Sequence, residues 1–231
     1  MKKIIAIILA RGGSKSIPKK NIVDFCGKPL IVWTVEQFKE VKKINSIWVS
    51  SDSEEILSIC KDCGTEIIDR PDEISGDFAT SESAWLHALE IIERKIGTVD
   101  IVLAPQVTSP LREPVDIERG LLDFEEGQFD SMFSCSIAED LFFWEKTLNG
   151  TFQSINYDYK NRRRRQDVPI QYIENGSFYI FKPEILKRYN NRFGGKIGVT
   201  KMEFWKMFEI DSLDDMKMCE TLMKAFLLDN K

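Results

Sequence analysis

Residues 4–21 read IIAIILARGGSKSIPKKN. The apolar run within residues 3–10 has no polar alternation, which predicts a strand buried on both faces and so a sheet covered by helices on each side. The chain then turns at once to two glycines and four cations, Arg11, Lys15, Lys19 and Lys20. Gly12 and Gly13 permit the backbone angles and close approach with which free N–H groups can cradle one anion. The flanking cations carry charge suited to a polyphosphate. The spacing is neither G-x-x-x-x-G-K-[ST] nor G-x-G-x-x-G, so the loop announces an anion without naming it. A solvated surface turn is the plain alternative.

Outward from this strand, helix and strand signals alternate. A helix is predicted from Leu30 to about Glu40, with Pro29 suited to its first turn. Strands follow at Ser46–Ser50 and Thr65–Ile68, separated by a helix over Glu54–Asp62 that Ser53 caps. A helix over Ser81–Lys95, a strand over Asp100–Ala104, a helix over Pro114–Glu126 and a strand over Ser131–Ser136 continue the rhythm. The pattern predicts a Rossmann-like α/β fold, its mostly parallel sheet flanked by helices on both faces. Ligands of such sheets sit beyond the carboxyl ends of the strands, where the loops after the first and fourth strands lie. The alternation fails after residue 136. Aromatic pieces, an Asn149-Gly150 turn and an arginine run suggest a lobe inserted over about 137–175, before a strand at Gly176–Phe181 and a last helix from about Ser212 to Leu228. No linker splits the chain, so residues 1–231 are read as a single domain.

The 231 residues are 43% hydrophobic and 30% charged, with a formal net charge of −5. An acidic balance argues against a nucleic-acid or anionic-membrane binder, and the apolar run is too short to span a bilayer. The five scattered cysteines suit a reducing cytoplasm. Cys60-Lys-Asp-Cys63 lacks the second pair that a zinc site needs and reads as a helix end stopped by Gly64.

The motif L-A-R-G-G-S-K-x-I-P-x-K-N resembles the signature of the CMP-sialic acid synthetases, also called acylneuraminate cytidylyltransferases. The resemblance continues in the family's order through Gly27-Lys28-Pro29-Leu30, Val49-Ser-Ser-Asp52, Arg70-Pro71, Gln106-Val-Thr-Ser-Pro-Leu-Arg112, Arg165-Gln166-Asp167-Val-Pro169, Glu174-Asn175-Gly176 and Glu209-Ile-Asp211. It implies a nucleotidyltransferase-type fold whose enzyme joins CTP to a nine-carbon 2-keto acid sugar, releasing pyrophosphate. It implies that Arg11, Lys15 and Lys20 are catalytic and meet the CTP phosphates with Gly12, and that Asn21 lies by the nucleotide. Arg70 and Ser81 would hold the cytosine. Gln106 would face the ribose or the sugar, and Arg165, Asn175 and Tyr179 would form the sugar site. The inserted lobe would pack against a second subunit in a homodimer.

Glu209-Ile210-Asp211 precedes the last helix. If extended, the segment puts both carboxylates on one face, a pair suited to Mg²⁺, with Mn²⁺ as the alternative. The same residues also suit a helix N-terminus. The resemblance implies the metal, with Asp211 the firmer ligand and Glu209 one methylene longer than the aspartate common there. Four consecutive arginines, Arg162–Arg165, cannot all serve one ligand; the resemblance marks Arg165. His87, the single histidine, reads as structural. Phe142-Phe143-Trp144 is either a core strand or a subunit contact. Sister enzymes for legionaminate, deaminated neuraminate or an eight-carbon keto acid are the near alternatives. A nucleotide-sugar glycosyltransferase is more distant, because its D-x-D is replaced by Leu103-Ala-Pro-Gln106.

Overall fold

The computed structural model describes residues 2–139 and 141–229, the Arg165 side chain excepted. The first strand, β1 (Ile4–Leu9), divides its side chains between two cores. Ile4, Ala6 and Ile8 join one apolar cluster, and Ile5 and Ile7 the other. Burying an isoleucine side chain stabilises by about 1.5–3 kcal/mol, which is why this strand is apolar throughout rather than alternating.

The strands that follow are β2 (Ser46–Ser51), β3 (Glu66–Asp69), β4 (Ile101–Pro105), β5 (Ser131–Ala138), β6 (Gln171–Phe181) and β7 (Ile197–Lys201). They form one seven-stranded sheet in the order β7-β5-β6-β4-β1-β2-β3. β6 alone runs antiparallel to its neighbours β4 and β5; the other pairings are parallel.

Helices α1 (Leu30–Lys39), α2 (Glu54–Asp62), α4 (Pro114–Glu126) and α6 (Leu213–Met223) contribute to the first core. Helices α3 (Ser81–Ile96) and α5 (Pro183–Tyr189) contribute to the second. The expected α/β architecture is therefore present, with helices on both faces. Two of the numbered elements lay outside the sequence reading. They are α5, which has Pro183 in its first turn and Asn190 in a left-handed cap, and the edge strand β7. α1 begins at Leu30, with Pro29 at its N-cap rather than in its first turn; before it Cys26 and Gly27, both at positive φ, make a two-residue turn between the short strands Asp24–Phe25 and Lys28–Pro29. This suits the primed turns that match strand twist.

β5 and β6 pair from Gln171↔Ala138 to Glu174↔Cys135, shift register at a bulge, and resume at Tyr179↔Phe133. The segment between them leaves the sheet and carries a small ribbon, Trp144–Lys146 against Phe152–Ser154. Phe143, Trp144, Leu148, Phe152 and Ile155 are exposed there. The chain order reverses between β1 and β4, the switch point where open α/β sheets bind ligands. Leu9 and Gln106 meet there in a single parallel bridge.

Candidate active site

A cavity of about 590 Å³ opens at this switch point. The loop after β1 supplies Arg11, Lys15, Lys20 and Asn21, and the segment after β3 supplies Arg70 and Ser81. Gln106 follows β4, and Glu209 with Asp211 precede α6. Residues distant in sequence are thus brought to one wall by the shared strand ends.

The loop after β1 is held from below. The backbone N–H of Gly12 donates to Asp52 Oδ1 at 2.9 Å, and Asn21 Nδ2 donates to the Arg11 carbonyl at 2.9 Å. Gly12 therefore fixes the loop through its own N–H. Asp52 also lies 3.7 Å from the Arg70 guanidinium, while Arg70 Nε donates to Ser75 Oγ at 2.9 Å. Burial lowers the Arg70 pKa, and Asp52 opposes that shift. Asp52 was quoted in the sequence motif without a role; here it ties the cation loop to the segment after β3.

The four cations separate. Arg11 and Lys15 both pair with Asp77, at 3.0 and 2.8 Å. Lys20 donates to Asp211 Oδ1 at 2.9 Å and to the Ile210 carbonyl at 3.1 Å. Lys19 points elsewhere and pairs with Glu55 on α2.

The 209–211 segment leads into the capped helix N-terminus that its sequence suggests, with both carboxylates lining the cavity. Ile210 is buried in the core and its N–H donates to the Thr108 carbonyl at 2.8 Å, leaving Glu209 and Asp211 in the cavity wall. Ser212 and Asp215 cap α6 reciprocally, at 2.8 and 3.2 Å. Asp211 joins that cap through its N–H alone, donating to Asp215 at 3.2 Å, and its side chain is 76% exposed. Burial first, and then the charge of Asp211, push the Glu209 carboxyl up to about 7, against Lys20 and Arg112.

Arg112 is fully buried beneath this wall. Its Nη2 donates to the carbonyls of Gln106 at 2.6 Å and Ser109 at 2.5 Å, fixing the loop that carries Gln106. Gly176 sits at φ +61°, and a Cβ there would lie 2.1 Å from Glu209 Oε1 and 2.3 Å from Gln106 Oε1. Gly176→Ala is accordingly expected to lower kcat/KM by about 10–100-fold through misplacement of both side chains, with a circular dichroism spectrum like that of the wild type.

Asn175 and Tyr179 do not line this cavity. Asn175 is buried and its Oδ1 accepts from Ser134 Oγ at 2.6 Å and from the Ser177 N–H at 3.2 Å. Tyr179 is buried against Trp85 and Phe193, and its hydroxyl donates to Glu174 at 2.5 Å. Arg165 opens a short 3-10 turn, Arg165–Asp167; its side chain lies outside the described residues. His87 lies on α3 and does not line the cavity. The Cys60 thiol is pushed by burial up to about 12. Asp52 and Arg112 end family motifs that assign them no role, and Asp77 stands in none; their placement is a product of the fold.

A family model described as cytidylyltransferase matches residues 5–230. The chain is 36% identical over 226 residues to the N-acylneuraminate cytidylyltransferase of Oncorhynchus mykiss, covering 96% of this chain and 51% of the relative. It is 30% identical over 225 residues to the pseudaminic acid cytidylyltransferase of Campylobacter jejuni subsp. jejuni serotype O:23/36 (strain 81-176), covering 96% and 97%. The chain thus spans about half the length of the fish relative and nearly all of the bacterial one. Among solved structures, a CMP:2-keto-3-deoxy-manno-octonic acid synthetase complexed with CTP superposes with a TM-score of 0.74 at 17% identity, over 98% of this chain and 100% of that one.

Proposed function

The chain belongs to the cytidylyltransferase family, and on that premise we propose that it joins CTP to the anomeric hydroxyl of a sialic-acid-type keto acid sugar. The observation that carries the reading is that Arg11, Lys15, Lys20, Glu209 and Asp211 line one cavity at the sheet's switch point. The sugar's anomeric oxygen forms a bond to the α-phosphorus, the bond from that phosphorus to the bridging oxygen breaks, and pyrophosphate leaves. The proton lost by the hydroxyl passes to solvent water in the cavity. Arg11, Lys15 and Lys20 stabilise the charge that grows on the departing pyrophosphate. Arg70 and Ser81 line the segment assigned to the cytosine, and Gln106 stands between nucleotide and sugar. Arg165 remains the candidate for the sugar carboxylate, whose planar charge a guanidinium fork matches.

Mg²⁺ fits the donor set. Glu209 is raised to about 7, chiefly by burial and next by the charge of Asp211, and a cation held between the two carboxylates would relieve that repulsion. Two hard oxygen donors beside a phosphate site are also the way Mg²⁺ is ordinarily held. Asp211 and Glu209 would hold it, and when bound it supplies neutralisation of the α-phosphate charge. The exposed aromatic surface of the 144–155 ribbon supports a homodimer through the lobe. The five cysteines are all unpaired, which supports a reducing, cytoplasmic setting. Among the described residues no helix is long and apolar enough to cross a membrane.

The experiment is pyrophosphate release from CTP with a panel of N-acetylneuraminate, pseudaminate, legionaminate, deaminated neuraminate and the eight-carbon keto acid, omitting each component in turn. Release is expected to require CTP, Mg²⁺ and one sugar of the panel. Tight CTP binding without release for any sugar would overturn the acceptor.

A further inference from the structure

We infer that Asp77 is an internal competitor of the nucleotide's phosphates. It occupies Arg11 and Lys15 when no polyphosphate is bound, and it returns to them as pyrophosphate departs. The inference rests on the reading of the cavity as a phosphate site, and it adds a residue that sets the affinity of that site.

The geometry is that of a substituted anion. One oxygen of the Asp77 carboxylate is 3.0 Å from Arg11 Nη1 and the other is 2.8 Å from Lys15 Nζ. Two oxygens of one group serving two separate cations is the arrangement that neighbouring phosphate oxygens would make. Hydrogen bonding from Lys15, then from Arg11, holds the Asp77 carboxyl below the usual carboxylate range, so the competitor is charged at neutral pH.

The segment bearing Asp77 is tethered at both ends and loose between them. Ser75 accepts from Arg70 and donates to the Pro71 carbonyl at 2.9 Å, and Thr80 caps α3. Between these anchors runs a turn closed by Ala79 N–H on the Gly76 carbonyl at 3.1 Å, and the Phe78 side chain is wholly exposed. No apolar packing by Phe78 opposes departure of the carboxylate; the two ion pairs are its tether. A polyphosphate that reaches both cations must replace them. A ligand too short to reach them leaves Asp77 in place. The carboxylate therefore weakens binding of CTP and pyrophosphate alike while sparing a CMP product too short to reach the two cations, and it gives the vacated cations a partner.

The test is calorimetric titration of inorganic pyrophosphate into the full chain, into Asp77→Asn and into Glu73→Gln. Glu73 is exposed on the same loop and lies outside both ion pairs, so its substitution matches the charge change alone. Asp77→Asn is expected to bind pyrophosphate about 3–10-fold more tightly at low ionic strength, two screened ion pairs being released. The gain should shrink at high salt, and Glu73→Gln should match the wild type. Unchanged or weaker binding by Asp77→Asn overturns the inference, as does an equal gain in Glu73→Gln. Those results leave the phosphate site standing. Absence of pyrophosphate binding in every form overturns the phosphate-site reading and this inference together.

Discussion

Lys20→Ala should lower kcat by about 10²–10³-fold, the scale of removing one preorganised donor from a site where charge develops. Lys20 is the most sequestered of the loop's lysines, its side chain 14% exposed, so its charge is less screened than that of Lys15 or Lys19. Its ammonium bridges the two halves of the site, reaching the Ile210 carbonyl and the Asp211 carboxylate from the loop after β1. Truncation removes the cation and also frees Asp211 from its partner. The fold should persist, because that partner is mostly exposed and an exposed pair contributes little to stability. The control is the adjacent residue: Lys19 faces Glu55 on α2, and Lys19→Ala should retain activity close to wild type. Pyrophosphate release under saturating CTP and sugar distinguishes the two. Equal activity in Lys20→Ala and wild type would remove Lys20 from the catalytic machinery.

That contrast shows where the sequence was legible. Arg11, Lys15, Lys19 and Lys20 form one basic cluster in the chain, yet a left-handed backbone at Lys19 and the 3-10 turn Lys20–Ile22 send neighbouring side chains to different partners. Local periodicity carries no such information. The same holds for the sheet. The rhythm of short apolar runs and amphipathic helices predicted the layered α/β fold, because covering both faces demands it. The direction of β6 was not legible, since Phe178–Phe181 is as apolar in an antiparallel strand as in a parallel one. Its extension back to Gln171 was hidden by the exposed residues before the bulge, and β7, with Gly194-Gly195 just before it and Gly198 within it, is a weak edge signal. Asp77 and Arg112 are missed for a different reason. Their roles depend on contacts that exist after the loops from β1, β3 and β4 have met. Asn175 and Tyr179 show the converse: the resemblance marks both for the sugar, while both side chains are turned into the protein.

Lys206→Met should destabilise the protein by about 3 kcal/mol without touching substrate. Lys206 is 2% exposed, and its ammonium lies 2.8 Å from Asp116, 2.8 Å from Glu113 and 2.9 Å from Glu203. Glu113 and Glu203 are substantially exposed and count for little, but Asp116 is fully buried. Methionine keeps the packing volume and leaves that carboxylate short of one cation. Arg119 still reaches Asp116 at 2.6 Å, which sets the expectation at the low end of the 3–5 kcal/mol typical of a broken buried pair. For a chain of this size the loss corresponds to a fall in Tm of about 6–12 °C. Burial alone would depress the lysine, but the hydrogen bonds it donates to Asp116, Glu113 and Glu203 raise its pKa above the ordinary value. A raised value means the contribution is fully present below the unfolded lysine pKa, about 10.4, and is lost only as pH climbs through the folded value. The destabilisation should therefore be the same at neutral and mildly alkaline pH. Asp116→Asn combined with Lys206→Met should recover part of the loss, since it removes the buried charge left behind. A Lys206→Met protein that melts with the wild type would mean that the cluster is not held as described. Lys206 lies in the turn Phe204–Met207 that leads into Glu209 and Asp211, so thermal stability and the placement of the carboxylate pair are expected to fall together.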